Sequence, residues 1–132
     1  MRFEFFLPMK IPTVTQQEHK VTVRKGKPVF YDPRELKNAR ALFRDHLAKY
    51  VPEKQLIGPI RLVTKWCFPV TEGHAHGEYK TTKPDTDNLV KLLKDIMTDL
   101  KFWKDDAQVA SEIIEKFWCN VPGIFIHVEE LQ

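Results

Sequence analysis

The sequence predicts an α+β (mixed α/β) fold, two main helices packed on a small mixed sheet. Three observations predict it. Apolar residues recur at helical spacing in two stretches, 34–50 and 86–100. Strand-like patterns occupy four others, 2–7, 60–68, 107–119 and 124–128. The order is strand, basic arm, helix, strand, loop, helix, strand, strand, so helices and strands are interleaved rather than segregated. A length of 132 residues suits a single domain over 1–132 with one modest core.

In the first stretch, Phe3, Phe5 and Leu7 share one face of a strand. Pro8 and Pro12 then interrupt the pattern. Residues 9–31 read as an extended arm or loose hairpin that turns at Lys25-Gly26-Lys27. This arm carries Lys10, Lys20, Arg24, Lys25 and Lys27, which suits either phosphate contact or a solubilising hairpin. Asp32-Pro33-Arg34-Glu35 is a helix start, with Asp32 to cap, Pro33 at the first helical position and Glu35 completing a capping box. Leu36, Ala39, Phe43, Leu47 and Tyr50 form its apolar face, and Pro52 ends it.

After the Gly58-Pro59 turn, Ile60, Leu62, Thr64, Trp66 and Phe68 alternate with Arg61, Val63, Lys65 and Cys67. Residues 69–83 have no apolar pattern and read as a loop. Leu89, Leu92, Leu93, Ile96, Met97 and Leu100 then make an apolar stripe, which leaves Asp87, Lys91, Lys94, Asp95 and Thr98 on the other side of a helix. The two last strands, joined at Pro122-Gly123, read as a hairpin.

Hydrophobic residues at 42% and charged residues at 30% describe an ordinary globular protein. No apolar run reaches the ~20 residues of a membrane span. The first residues carry an acid inside their apolar run and no small-residue cleavage site, so the expected compartment is the cytoplasm. Cys67 and Cys119 lie in strand-like runs and are expected to be reduced, buried thiols. His74 and His76 near Cys67 would be a possible zinc site, but no second ligand pair stands at a recognised spacing.

The net charge of +3 decides little, but its distribution is informative. Residues 1–50 hold 11 Lys/Arg against 5 Asp/Glu, and residues 51–132 hold 10 against 13. A basic first part with acids concentrated later fits one surface that attracts a polyanion and another that holds a cation.

Those acids are organised around Lys83-Pro84-Asp85-Thr86-Asp87-Asn88-Leu89-Val90-Lys91, where a helix begins, and Trp103-Lys104-Asp105-Asp106, just after it ends. A lone Asp in either place is explained by helix capping or turn formation. Two acids at i, i+2 exceed what a cap requires, and Lys91 follows Asp87 at i+4 on nearly the same helical face. If the strand after Asp106 packs beside this helix, the turn acids return toward the helix start. Hard cations such as Mg²⁺ take carboxylate oxygens from separate elements together with water and phosphate oxygens. Such an ion can activate water and polarise a phosphodiester. Neither a Gly-rich phosphate loop nor a Ser/His/Asp arrangement competes.

The stretch from Lys83 to Lys91, with Leu92-Leu93-Lys94-Asp95 and Phe102-Trp103-Lys104-Asp105-Asp106-Ala107-Gln108-Val109, resembles the signature of the RusA family of Holliday junction resolvases. The resemblance implies a homodimeric, Mg²⁺-dependent endonuclease, with Mn²⁺ able to substitute, that makes paired nicks in branched DNA. It implies Asp85, Asp87 and Asp106 as metal-binding catalytic acids and Lys91 as the essential basic residue. Asn88, Asp95 and Asp105 are then supporting residues. Lys83 joins the basic residues of the arm as a DNA contact. No membrane and no small-molecule cofactor are expected. Two other readings stand beside it, a general flap or branched-DNA nuclease and a non-catalytic branched-DNA binder.

Overall fold

The computed structural model describes residues 1–12, 20–24, 27–31 and 34–132, with the backbone alone for 20–24 and 27–31. Its strands are β1 (Arg2–Pro8), β2 (Lys20–Arg24), β3 (Lys27–Tyr31), β4 (Ile60–Pro69), β5 (Val109–Cys119) and β6 (Gly123–Glu130). Its helices are α1 (Arg34–Leu47) and α2 (Thr86–Asp99). Four strands form a mixed sheet in the order β1-β6-β4-β5, and β2 pairs with β3 in a separate antiparallel ribbon. The α+β class is therefore observed. Asp32 and Pro33, the expected cap and first turn of α1, lie outside the described residues.

The last two strands do not form the expected hairpin. β4 lies between them, parallel to β5 and antiparallel to β6. The reason lies in β4 itself: Ile60, Leu62, Thr64, Trp66 and Phe68 are all buried, which makes it a central strand. Residues 120–122 must then span two inter-strand spacings, about 9.6 Å, which so short a connection can reach.

One face of the sheet carries the helices and the core. Phe5 and Leu7 of β1, Leu62 and Trp66 of β4, and Ile124, Ile126 and Val128 of β6 are buried there. They meet Leu36, Phe43 and Leu47 of α1 and Leu89, Leu92, Leu93, Ile96 and Met97 of α2. Phe43 meets Trp66 edge-on, with centroids 6.4 Å apart. Thr64, fully buried, accepts a hydrogen bond from Trp66 Nε1 at 2.9 Å, so the one hydroxyl in this layer is satisfied. α1 gives way to a 3₁₀ turn at Ala48–Tyr50, and Tyr50 stacks on Phe5 at 4.3 Å. Cys119 is buried as expected, whereas Cys67 is only half-buried because it faces the uncovered side of the sheet.

The 69–83 loop is more organised than its sequence suggests. Gly77 N–H donates to Trp118 O, Trp118 N–H to Glu78 O and Lys80 N–H to Lys116 O, so the chain runs along the free edge of β5. The edge is thereby covered by backbone pairing, which requires no side-chain alternation. Among the described residues no helix is long and apolar enough to cross a membrane.

α2 ends in a Schellman motif. Phe102 N–H donates to Met97 O and Lys101 N–H to Thr98 O, with Lys101 at φ 74°. A left-handed backbone at a residue with a Cβ is strained. Lys101→Gly is therefore predicted to raise stability by about 1 kcal/mol. A urea titration showing no gain, or a loss, would refute this account of the turn.

Candidate active site

Asp85 stands at the N-cap of α2 in extended backbone geometry, φ −73° and ψ 150°, yet its side chain makes no capping hydrogen bond. Its carbonyl accepts from Leu89 N–H at 3.2 Å, so the helix starts without the carboxylate. Capping, which would account for a lone Asp here, is not what this side chain does. Asp87 lies in the first turn, where the helix dipole favours negative charge. Asn88 is half-buried, and its Oδ1 is buried with no hydrogen-bond partner. Lys91 is exposed one turn on. The burial of Leu89, Val90, Leu92 and Leu93 fixes which side of the helix these polar residues occupy.

The second acidic pair divides. Asp105 caps the 3₁₀ turn Asp106–Gln108: its side chain accepts from Ala107 N–H at 2.9 Å. Gln108 completes a capping box by accepting from Asp105 N–H at 3.1 Å, and it also accepts from Lys104 N–H at 2.9 Å. Its amide donates to Leu56 O and Gly58 O, both at 3.1 Å. The turn is therefore bolted to the segment that leads into β4. Asp105 is committed to the cap, and Asp106 faces elsewhere.

It faces a cleft of about 320 Å³ between α2 and β5. Asp87, Lys91, Lys94 and Asp95 line it from α2, Asp106 from the turn, and Glu112 and Ile114 from β5. Lys94 Nζ lies 3.2 Å from a Glu112 carboxylate oxygen. Four carboxylates against two ammonium groups leave the cleft net acidic. The acids are strung along it rather than gathered, since Asp87 and Asp95 alone are about 12 Å apart along the helix axis. Among the described residues no three His, Cys, Asp or Glu side chains are drawn close enough to hold an ion. The chemistry of the donors is nonetheless uniform: every acid is an oxygen donor, and no Cys or His lines the cleft. That set suits a hard divalent cation rather than zinc.

The structure thus brings Asp87, Lys91, Asp95 and Asp106 into one cleft. Asp85, Asn88 and Asp105 flank it without lining it. Lys83 is exposed on the segment before α2. Lys10 is exposed and lines a different groove, with Ile11, Glu35 and Leu42. Only the backbone is described at Lys20, Arg24 and Lys27, and Lys25 lies outside the described residues. His74 stacks on Trp118 at 4.4 Å and approaches Glu78 at 3.4 Å. His76 Nδ1 accepts from Asn120 N–H at 2.8 Å. Both histidines thus fasten the loop to the end of β5. Burial, and next the neighbouring Cys119, push the Cys67 thiol up to about 12.

Sequence reasoning missed Glu112 and Gln108 and placed Lys94 only on the polar side of its helix. Glu112 is a single acid in a strand, and no local pattern marks it. Gln108 has a local signal, the Asp-x-x-Gln spacing of a capping box.

The family model for endodeoxyribonuclease RusA matches residues 10–129. The crossover junction endodeoxyribonuclease rusA of Lactococcus phage r1t is 36% identical over 112 residues, covering 83% of each chain. The protein YqaN of Bacillus subtilis (strain 168) is 28% identical over 129 residues, covering 89% of this chain and 90% of its own.

Gln108 makes four hydrogen bonds to backbone groups of the turn and the adjoining segment. Gln108→Ala is predicted to lower stability by about 2 kcal/mol, since it takes the amide donor from the part-buried carbonyls of Leu56 and Gly58 and undoes the capping box. An unchanged midpoint in chemical denaturation would show that the turn holds Asp106 by other means.

Proposed function

The chain belongs to the RusA family of endodeoxyribonucleases, and from that premise we propose that it resolves four-way (Holliday) junctions by Mg²⁺-dependent hydrolysis of phosphodiesters, leaving paired nicks. The observation that carries the reading is the single cleft lined by Asp87, Asp95 and Asp106 together with Lys91 and Lys94.

Membership of the family implies a divalent cation. Asp87 and Asp106, which line the cleft, and Asp85, which flanks it, would supply oxygen ligands to it beside water and phosphate, and Mn²⁺ would replace Mg²⁺ because both accept oxygen ligands. When bound, it supplies activation of water and stabilisation of the leaving oxygen. The chain's own groups do the rest. Asp85 and Asp87 present carboxylates from a helix start that does not use Asp85 as its side-chain cap. Asp106 does so from a turn that Asp105 and Gln108 hold in place. Lys91 places an ammonium one helical turn from Asp87, where it offsets charge accumulating on phosphate. Asn88 and Asp95 support the acids at the helix start and in the cleft.

A net acidic cleft repels the DNA backbone. Binding energy must therefore come from elsewhere, and the basic arm with Lys10, Lys20, Arg24, Lys25 and Lys27, joined by Lys83, supplies it through phosphate contacts. Such contacts read the shape of a junction more than its bases. A homodimer would present two clefts to opposed strands, as symmetrical resolution requires.

Three predictions test this. Purified protein should nick a labelled mobile four-way junction in Mg²⁺ and leave it intact with chelator. Preferred cleavage of flap over junction substrates would replace the reading with that of a general branched-DNA nuclease. Asp87→Asn should abolish nicking and keep or tighten junction binding, because it removes a charge that repels phosphate; normal nicking by this variant sinks the assignment of the acids. Lys91→Ala should slow nicking by about 10²–10³-fold with an unchanged melting temperature. Unfolding of that variant would instead make Lys91 a structural residue.

A further inference from the structure

Two lysines outside the cleft converge on the segment that delivers its first acids. Lys116 Nζ, from β5, donates to Thr82 O at 2.7 Å and to Pro84 O at 2.8 Å. Lys80 Nζ, from the loop, donates to Lys83 O at 2.6 Å and to Thr82 Oγ1. The carbonyls of three consecutive residues, 82, 83 and 84, are thus held by two ammonium groups, immediately before Asp85. Among the described residues none of these carbonyls takes part in a backbone–backbone hydrogen bond. The segment from Thr81 to Asp85 has no helix or strand of its own.

The pairing of the loop with β5 explains why the lysines meet. Lys80 N–H donates to Lys116 O at 2.9 Å, so the two residues are neighbours on adjacent backbones. Lys80 is 8% exposed and its ammonium lies over the rings of Trp118 and Phe68, at 4.6 and 5.2 Å from their centroids. Burial, and next the charge of Lys116, hold its pKa below the ordinary lysine value. Two like charges side by side, one of them desolvated, are unfavourable unless acceptors offset them. Here the acceptors are the carbonyls of the segment before α2. A charge used in this way is not available to phosphate.

We propose that Lys80 and Lys116 are positioning residues, whose ammonium groups clamp the carbonyls of Thr82, Lys83 and Pro84 and so set where Asp85 and Asp87 stand. The inference rests on the reading of those two acids as the groups that hold the divalent cation. Residues that orient metal-holding side chains typically change affinity or activity by about 10–100-fold when removed.

The test uses the full chain and Mn²⁺ as the probe. Lys116→Met should weaken Mn²⁺ binding to the DNA-free protein, followed by calorimetry, by about tenfold. It should raise by a similar factor the metal concentration needed for half-maximal nicking. Junction affinity measured without metal should not change, because this ammonium is already engaged by two carbonyls. Lys116→Gln, which keeps a hydrogen-bond donor without the charge, should retain much of the Mn²⁺ affinity. Undiminished Mn²⁺ affinity in Lys116→Met overturns the proposal. So does a loss of metal-free junction binding with Mn²⁺ affinity intact, which would make Lys116 a phosphate contact. Should Lys116→Met fail to fold, Mn²⁺ affinity in Lys116→Gln decides, and a loss there as large as in Asp87→Asn also overturns the clamp. Wild-type protein that neither binds Mn²⁺ nor nicks defeats the reading of the acids itself, and is told apart from failure of the clamp by that control alone.

Discussion

The parallel pairing of β4 with β5 is the constraint from which the site follows. Two parallel neighbours cannot be joined by a tight turn; the chain must leave the sheet, cross its face and return. In this protein the crossover is residues 70–108, and it contains the loop, α2 and the acidic turn. Every candidate acid named from the sequence, Asp85, Asp87, Asp95, Asp105 and Asp106, lies on it. The packing of α2 against β5 then closes the cleft. A change that freed β5 from β4 would dismantle the cleft even though no acid was touched. The burial of β4 is thus a requirement of the site as much as of the core.

Electrostatics divides the molecule along the same line. The cleft holds more carboxylates than ammonium groups, and Lys94 is already close to Glu112. A surface of that sign has no use for a phosphate backbone until a cation is present. Apart from Lys91 and Lys94 the positive residues lie outside it, and two of them, Lys80 and Lys116, are held by carbonyls. Counting lysines in the sequence therefore overstates the charge that a polyanion meets. Assigning each ammonium to its acceptor corrects the count.

How much could be read from the chain depended on whether the governing interaction was local. The apolar stripe of α2 is a periodicity, and Leu89, Leu92, Leu93, Ile96 and Met97 are buried as it requires. The division of Asp87 and Lys91 from the core side is the same signal seen from outside. Adjacency in sequence suggests a β5–β6 hairpin, but it is a weak guide when a third strand is apolar enough to enter between two others. The 69–83 loop carried no pattern because backbone hydrogen bonds attach it to β5, and these leave no mark on side-chain type. Glu112, Lys116 and Lys80 leave no local mark for a related reason: Glu112 and Lys116 meet partners 18 and 32–34 residues away, and Lys80 is set beside Lys116 by a backbone bond that only the folded crossover allows.

Capping, which would make each acid ordinary when taken alone, is met by one pair and not by the other. Asp105 has a cap to make and makes it, with Ala107 N–H on its carboxylate and Gln108 returning the bond. Asp85 has the position of a cap and does not use its side chain there. A carboxylate at a helix start that forgoes an available backbone donor forfeits about 1 kcal/mol of helix stability. Local structure offers no return for that loss among the interactions of α2. The orphaned Asn88 Oδ1 three residues on is a second polar group left unsatisfied at the same helix start. Unmet polar groups concentrate where a ligand is to meet them. The two acidic pairs, alike in sequence, therefore differ in structure: in one pair Asp105 builds the turn that carries Asp106, and in the other Asp87 lines the cleft while Asp85 flanks it with a carboxylate that makes no cap.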